Sequence, residues 1–223
     1  MRIAVKNFIF SHPFLINYLP FNNKHLYSRG VHVSSEGELM INCSFNSHGK
    51  NNQVILKQSS MVRNCHFNFY GDNNTVVIGE KTTVINSTFH SENDCNRIII
   101  GKGTKVCGKT EFACMENTEI LIGDNCLLSS EIFFRTGDSH SVIDMNGKRI
   151  NPSKSITICN HVWIGQGVKI TKGVTVPNDC IIGIGSIVTR KFEKPNTAIA
   201  GNPARIIKEN INWDVKRIEI LGG

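Results

Sequence analysis

The chain lacks the marks of several common protein classes. Its eight cysteines form no Cys-x-x-Cys pair, and no spacing among them matches a zinc ribbon. Several fall at positions that the pattern described below turns inward, where cysteine acts as a small hydrophobe. A reducing, cytoplasmic compartment is therefore expected. No apolar run is long enough to cross a bilayer. The best stretch, residues 8–21, is broken by His12, Pro13, Asn17 and Pro20 and has no small-residue cleavage pattern. Neither a transmembrane segment nor a signal peptide is expected there; it reads as a short cap, with a membrane-surface or partner contact as the other reading. The formal charge of +7 favours anionic partners without choosing among them. No recognition helix, RNP-type motif or aromatic-basic strand pattern is visible, so nucleic acid is not the expected partner.

What the chain has in abundance is repetition. The segment Asn42-Cys43-Ser44-Phe45-Asn46 returns 22 residues later as Asn64-Cys65-His66-Phe67-Asn68. The same offset carries Gly49-Lys50-Asn51-Asn52 onto Gly71-Asp72-Asn73-Asn74 and links Phe45, Phe67 and Phe89. Further columns run Leu56, Ile78, Ile100, Ile122 and Met40, Val62, Val84, Val106, Leu128. A small-residue column runs Ser60, Thr82, Thr104, Cys126. Several registers at one offset define a repeat architecture.

A shorter period lies inside each unit. Ile158, Ile164, Ile170, Val176, Ile182 and Val188 are spaced by six without a slip. Val162, Val168, Val174, Cys180 and Ser186 follow the first five of them by four residues. A period of six fits neither an amphipathic helix nor a simple alternating strand. It fits a flat strand and a turn repeated around a prism, the aliphatic residue on the axis and the small residue beside it. Three sixes make one triangular coil, which buries its apolar face only by stacking on neighbours. The 22-residue unit is then one coil of 18 plus a short corner loop.

The period breaks between Arg135 and Ile156. The inserted stretch, residues 136–155, contains Gly137-Asp138-Ser139-His140-Ser141 and Asp144. A polar loop leaving a rigid solenoid is where function tends to sit. After it come Asn160-His161-Val162-Trp163-Ile164-Gly165, Gly183-Ile184-Gly185-Ser186-Ile187-Val188-Thr189 and Gly201-Asn202-Pro203-Ala204-Arg205. Together with the sixes, these stretches resemble the hexapeptide-repeat acyltransferase family, and within it the sugar and polysaccharide O-acetyltransferases.

The resemblance implies an all-β fold: a left-handed parallel β-helix over residues 39–190, interrupted by the active-site loop 136–155. It leaves 1–38 as an N-terminal cap region that matches no repeat unit, and 191–223 as a C-terminal cap and cofactor-binding tail. The hand comes from the resemblance alone, since parallel crossovers are normally right-handed. Also implied is an acetyl-CoA-dependent O-acetyltransferase of a sugar or surface polysaccharide, assembled as a homotrimer with its active sites between subunits. His140 occupies the family's catalytic histidine position, as the general base that takes the proton of a poorly nucleophilic hydroxyl. A donor such as a backbone N–H must meet the developing oxyanion; no covalent enzyme intermediate is needed. Asp138 is a candidate to orient the His140 ring, with Asp144 a weaker second; a solvated loop carboxylate is the other reading for Asp138 and the preferred one for Asp144. Trp163 matches the tryptophan that lines the family's site, against a packing role at a coil corner. His161 reads as a turn residue.

Coenzyme A carries several phosphates and needs cations and backbone donors. The resemblance puts Gln166, Ile184 and Ser186 at positions whose backbone lines the pantetheine groove, and Thr189, Arg190, Lys191, Arg205 and Lys208 at the nucleotide end. Arg190 stands where the family usually has lysine, so charge is kept but geometry is not. The Asn212-Trp213 segment also occurs among polysaccharide-type relatives. A nucleotide-sugar N-acetyltransferase is the nearest competing enzyme, and a non-catalytic β-helix scaffold the competing class. A γ-carbonic-anhydrase-type metal site needs three converging histidines. The six histidines besides His140 and His161 have no matching spacing, so no metal is expected.

Overall fold

The computed structural model describes residues 30–35 and 38–219. Most of the expected N-terminal cap, residues 1–38, lies outside the described residues. Among those described there are 23 strands and no helix. They form three sheets of seven, nine and seven strands, and successive strands up to Ile187–Val188 visit the first, second and third sheet in turn, the last two both joining the second. Every pairing is parallel except the last, between Thr197–Gly201 and Ala204–Glu209. The result is a left-handed parallel β-helix, the exception to right-handed crossovers that the resemblance implied.

The register reproduces the sequence offsets. Val54 pairs with Val76, Val76 with Ile98 and Ile98 with Ile120, each step 22 residues. After the loop Ile158 pairs with Val176, a step of 18. The extra residues of the longer coils gather at one corner, where the chain passes from the third sheet to the first. Gly49, Gly71 and Asn93 turn there, and so does the long loop between Ile132–Arg135 and Ile156–Ile158.

The axis is filled as the columns predict. The rings of Phe45, Phe67, Phe89, Phe112 and Phe134 stack at 5.1, 4.8, 5.1 and 5.1 Å. That interval is the spacing of hydrogen-bonded strands, about 4.8 Å, so one phenylalanine per coil makes a continuous column. Polar residues ladder in the same way. Buried Asn74 and Asn96 each receive the next unit's pattern: Asn52 Oδ1 accepts from Asn74 N at 2.9 Å, and Asn74 Oδ1 from Asn96 N at 2.9 Å. These bonds satisfy amides that would otherwise be costly to bury. Asn42, Asn64 and Asn86 take φ of 51°, 54° and 52° at their corners, a region asparagine tolerates better than most residues.

Cys43, Cys65, Cys114, Cys126 and Cys180 are buried, and Cys95 and Cys107 are exposed. The β-helix also runs past both ends of 39–190. Val31–Ser34 pairs with Asn52–Leu56. Thr197–Gly201 continues the second sheet beside Ile181–Ile182, and Ala204–Glu209 folds back to cover it. Among the described residues no helix is long and apolar enough to cross a membrane.

Candidate active site

The loop begins where the solenoid can least spare space. Thr136 is buried, and its Oγ1 accepts from Met115 N at 3.0 Å and Thr118 Oγ1 at 2.7 Å. A Cβ on Gly137 would lie 2.2 Å from Ser153 Oγ and 2.5 Å from Met115 Sδ, so a larger residue at the exit would have to displace those two side chains. The chain then runs out and returns as a narrow hairpin, with Ile143 bridged to Arg149. Asp144 caps its tip: one carboxylate oxygen accepts from Asn146 N and Lys148 N, both at 2.9 Å. That carboxylate stabilises its own turn.

Asn151 closes the loop. It is buried, and its side-chain nitrogen donates to Asp138 Oδ2 and to the His140 carbonyl, each at 2.8 Å. Its Oδ1 accepts from Val142 N at 2.8 Å and Arg149 Nε at 3.2 Å. Asp138 also pairs with Lys172, from the strand turn that follows Lys169–Ile170. Lys172 beside it, and then Asn151, hold the Asp138 carboxyl below the usual carboxylate range. A second clamp joins Arg149 to Glu116 at 2.6 Å. Arg149 and then Ser153 lower Glu116 to about 2. His140 projects from this framework with an exposed side chain. Among the described residues no hydrogen bond joins Asp138 to the His140 ring; Asn151 connects the two residues through the His140 backbone.

Trp163 stands on the outer face of the second sheet and is 38% exposed. His161, two residues earlier, is more than a turn residue. Its Nδ1 pairs with Asp179 at 2.8 Å, and its ring stacks on Trp213 at 4.3 Å.

The expected cofactor residues share an edge. Gln166 and Ile184 lie at successive turns from the second sheet to the third, where Gln166 O accepts from Gly185 N at 2.8 Å. Gln166 donates to Glu131 at 3.1 Å, and Ile184 is 75% exposed. Ser186 is different: it is buried, donating to Gly183 O at 2.7 Å and accepting from Gly201 N at 3.1 Å, so its hydroxyl holds turns together. Thr189, Arg190 and Lys191 leave the last coil exposed, Arg190 over the Phe192 ring at 5.3 Å. Arg205 and Lys208 are exposed on Ala204–Glu209. The His140 loop, in contrast, leaves at the third-to-first corner. One chain therefore places the His140 loop and the Gln166–Ile184 edge on opposite borders of the third sheet.

Sequence reasoning missed Asn151, Lys172, Arg149 and Glu116. They stand on three different coils or loops, and no spacing pairs them. Among the described residues no group of three His, Cys, Asp or Glu side chains is placed to hold a metal ion.

No family model matches the chain. A polysialic acid O-acetyltransferase of Neisseria meningitidis is 57% identical over 102 residues, 45% of this chain and 47% of that protein. One from Escherichia coli O1:K1 / APEC is 43% identical over 99 residues, 44% of this chain and 32% of that protein. The matches thus span about half and about a third of the length of these curated relatives. In three dimensions the chain superposes on the crystal structure of the polySia-specific acetyltransferase NeuO with a TM-score of 0.71 and 31% identity, covering 85% of this chain and 89% of that one. With identity at that level across most of both folds, and with sixes that wind into the same solenoid, the chain belongs to the hexapeptide-repeat, left-handed β-helix acyltransferases.

Proposed function

We propose that the protein transfers an acetyl group from acetyl-CoA to a hydroxyl of a sialic-acid polymer or a chemically similar acidic glycan. The similarity to a polySia-specific acetyltransferase over 85% of the chain carries this reading. The net positive charge fits an anionic acceptor.

Each residue has a role in that reading. Acetyl-CoA supplies the activated acyl group. His140 takes the proton of the acceptor hydroxyl as its oxygen attacks the acyl carbon, and returns that proton to the departing sulfur. Its exposed ring, on a loop fixed through Asn151, suits a base that meets its substrate outside its own chain. Asp138 acts on His140 through Asn151, and Trp163 flanks the acceptor. The cofactor's fit is supported by the exposed alkyl side chain of Ile184 at the Gln166 edge, and by the exposed cations Arg190, Lys191, Arg205 and Lys208 beyond it. Ser186 contributes by shaping the turns through its hydroxyl, which is buried away from the cofactor. The separation of the His140 loop from that edge supports a site completed by two subunits of a homotrimer. A base sufficient for direct attack leaves no need for a covalent enzyme intermediate. The reading includes a reducing, cytoplasmic compartment, supported by free thiols at all eight cysteines.

The test is thiol release from acetyl-CoA with a panel of acceptors: oligosialic and polysialic acid, neutral oligosaccharides, and amino sugars. Turnover with the acidic polymers, with ester product, is expected. Turnover only with amino sugars, giving amide, or with no acceptor at all, contradicts the proposal.

A further inference from the structure

The chain contains two tryptophans, and the fold brings them together from 50 residues apart in sequence. Trp163 stands on the outer face of Trp163–Ile164. Trp213 arrives on the segment that follows Ala204–Glu209. The ring centroids are 6.1 Å apart with planes tilted by 45°, within the contact range of aromatic pairs.

Trp213 is held more firmly than a trailing segment requires. Its Nε1 donates to the His161 carbonyl at 2.9 Å. Its ring lies flat on the His161 imidazole, 4.3 Å away and 9° from parallel. The far side of that imidazole is fixed by Asp179 at 2.8 Å. The His161 backbone is fixed too, with φ at 54° and its N–H donated to Asp124 O at 2.8 Å. His161 and Trp163, two residues apart on one coil, thus meet the indole, and Asp179 and Asp124 in turn hold His161.

The place of this clasp separates it from a plain cap. A cap would cover the open end of the prism, which the hairpin of Thr197–Gly201 and Ala204–Glu209 already does. The chain instead turns back along the side: Ile211 N bonds Asn196 O at 3.0 Å, and Trp213 then reaches the coil of His161. With Leu127 and Lys105 it borders a small pocket that continues, down the second sheet, the column to which Trp163 belongs. The indole of Trp163 turns about two side-chain bonds, and on an open sheet face several orientations are accessible. A rigid ring beside it removes most of them.

We infer that Trp213 is a positioning residue for Trp163: the Trp213–His161–Asp179 clasp sets the plane of the Trp163 indole and so preorganises the acceptor side of the active site. Its effect on the reaction rests on the role proposed for Trp163. Preorganisation of this kind acts on the rate of the bound complex, and its loss costs rate before it costs binding of a substrate held elsewhere.

The test compares Trp213→Ala and Trp213→Phe, each of which leaves Trp163 as the sole tryptophan. Acrylamide quenching and fluorescence anisotropy then report Trp163 alone, and kcat and both KM values report the reaction. In the alanine variant Trp163 is expected to be several-fold more quenchable and less anisotropic. Its kcat is expected to fall about tenfold or more, with KM for acetyl-CoA unchanged. Phenylalanine keeps the stack while losing the N–H bond, and is expected to restore most of both. Equal quenching and anisotropy in the two variants overturn the inference. So does a lowered melting temperature with kinetics unchanged, which would make Trp213 a cap only. If the protein acetylates no acceptor, the quenching comparison still decides whether the clasp exists, and the proposed function fails separately.

Discussion

The side-chain amide of Asn151 donates to the backbone carbonyl of His140 at 2.8 Å, so a residue late in the loop holds the one proposed as its base. The same nitrogen reaches Asp138, and Lys172 completes that corner. Position along the loop is thereby converted into position in space.

Replacing Asn151 by alanine removes four hydrogen bonds at once and leaves Val142 N without its partner. Val142 is exposed, so water can take that place and the cost in stability is modest. The account expects a kcat at least tenfold lower with only a few degrees lost in melting temperature. Steady-state kinetics beside a thermal melt separates the two. A variant that melts far lower but keeps its kcat would make Asn151 a purely structural residue.

The Glu116–Arg149 pair predicts an acid-sensitive loop. Glu116 falls from an ordinary 4.5 to about 2 in the folded chain, with Arg149 and Ser153 as the causes. A folded-state value below the unfolded one means the link is complete above about 4.5 and is lost as pH falls through about 2. Limited proteolysis at the loop tip should therefore be slow at neutral pH and faster toward pH 2. Glu116→Gln should raise cleavage at pH 7 and converge with the unsubstituted protein at the acid end. Identical cleavage of the two at pH 7 would remove the clamp from the account.

The phenylalanine column predicts a graded core. Phe89 has a stacked ring above and below, at 4.8 and 5.1 Å, and is fully buried. Phe89→Ala should destabilise by about 3–5 kcal/mol, while Phe89→Leu, which refills part of the space, should cost less. Chemical denaturation measures both. Equal losses would mean the column is not packed as described.

Much of this fold was legible before any coordinates. Phe45, Phe67 and Phe89 announce a repeat because each must stack on the next. Ile158 through Val188 announce the prism because one strand and one turn take six residues. The left hand was not legible, since the same sixes say nothing about the sense of winding. The break in the period marked the loop, but His140 and Trp163 were singled out by their match to the family's positions. Asn151 did not, because its importance lies in a bond across the loop that no spacing encodes. Trp213 was visible only as a segment, and its contact with His161 and Trp163 depends on a chain reversal after Glu209. The hydroxyl of Ser186 faces inward because the small-residue column points to the axis, a consequence already present in the sixes.

The most direct test of the account is His140→Ala, assayed for acetyl transfer to an oligosialic acid beside the unsubstituted protein, with acetyl-CoA affinity measured on both. An exposed side chain on a loop held by Asn151 should leave folding and acetyl-CoA binding intact, and kcat should fall about 10²-fold or more, the scale of a general base. Transfer that survives the substitution within a few-fold would contradict the role of His140 and the mechanism built on it.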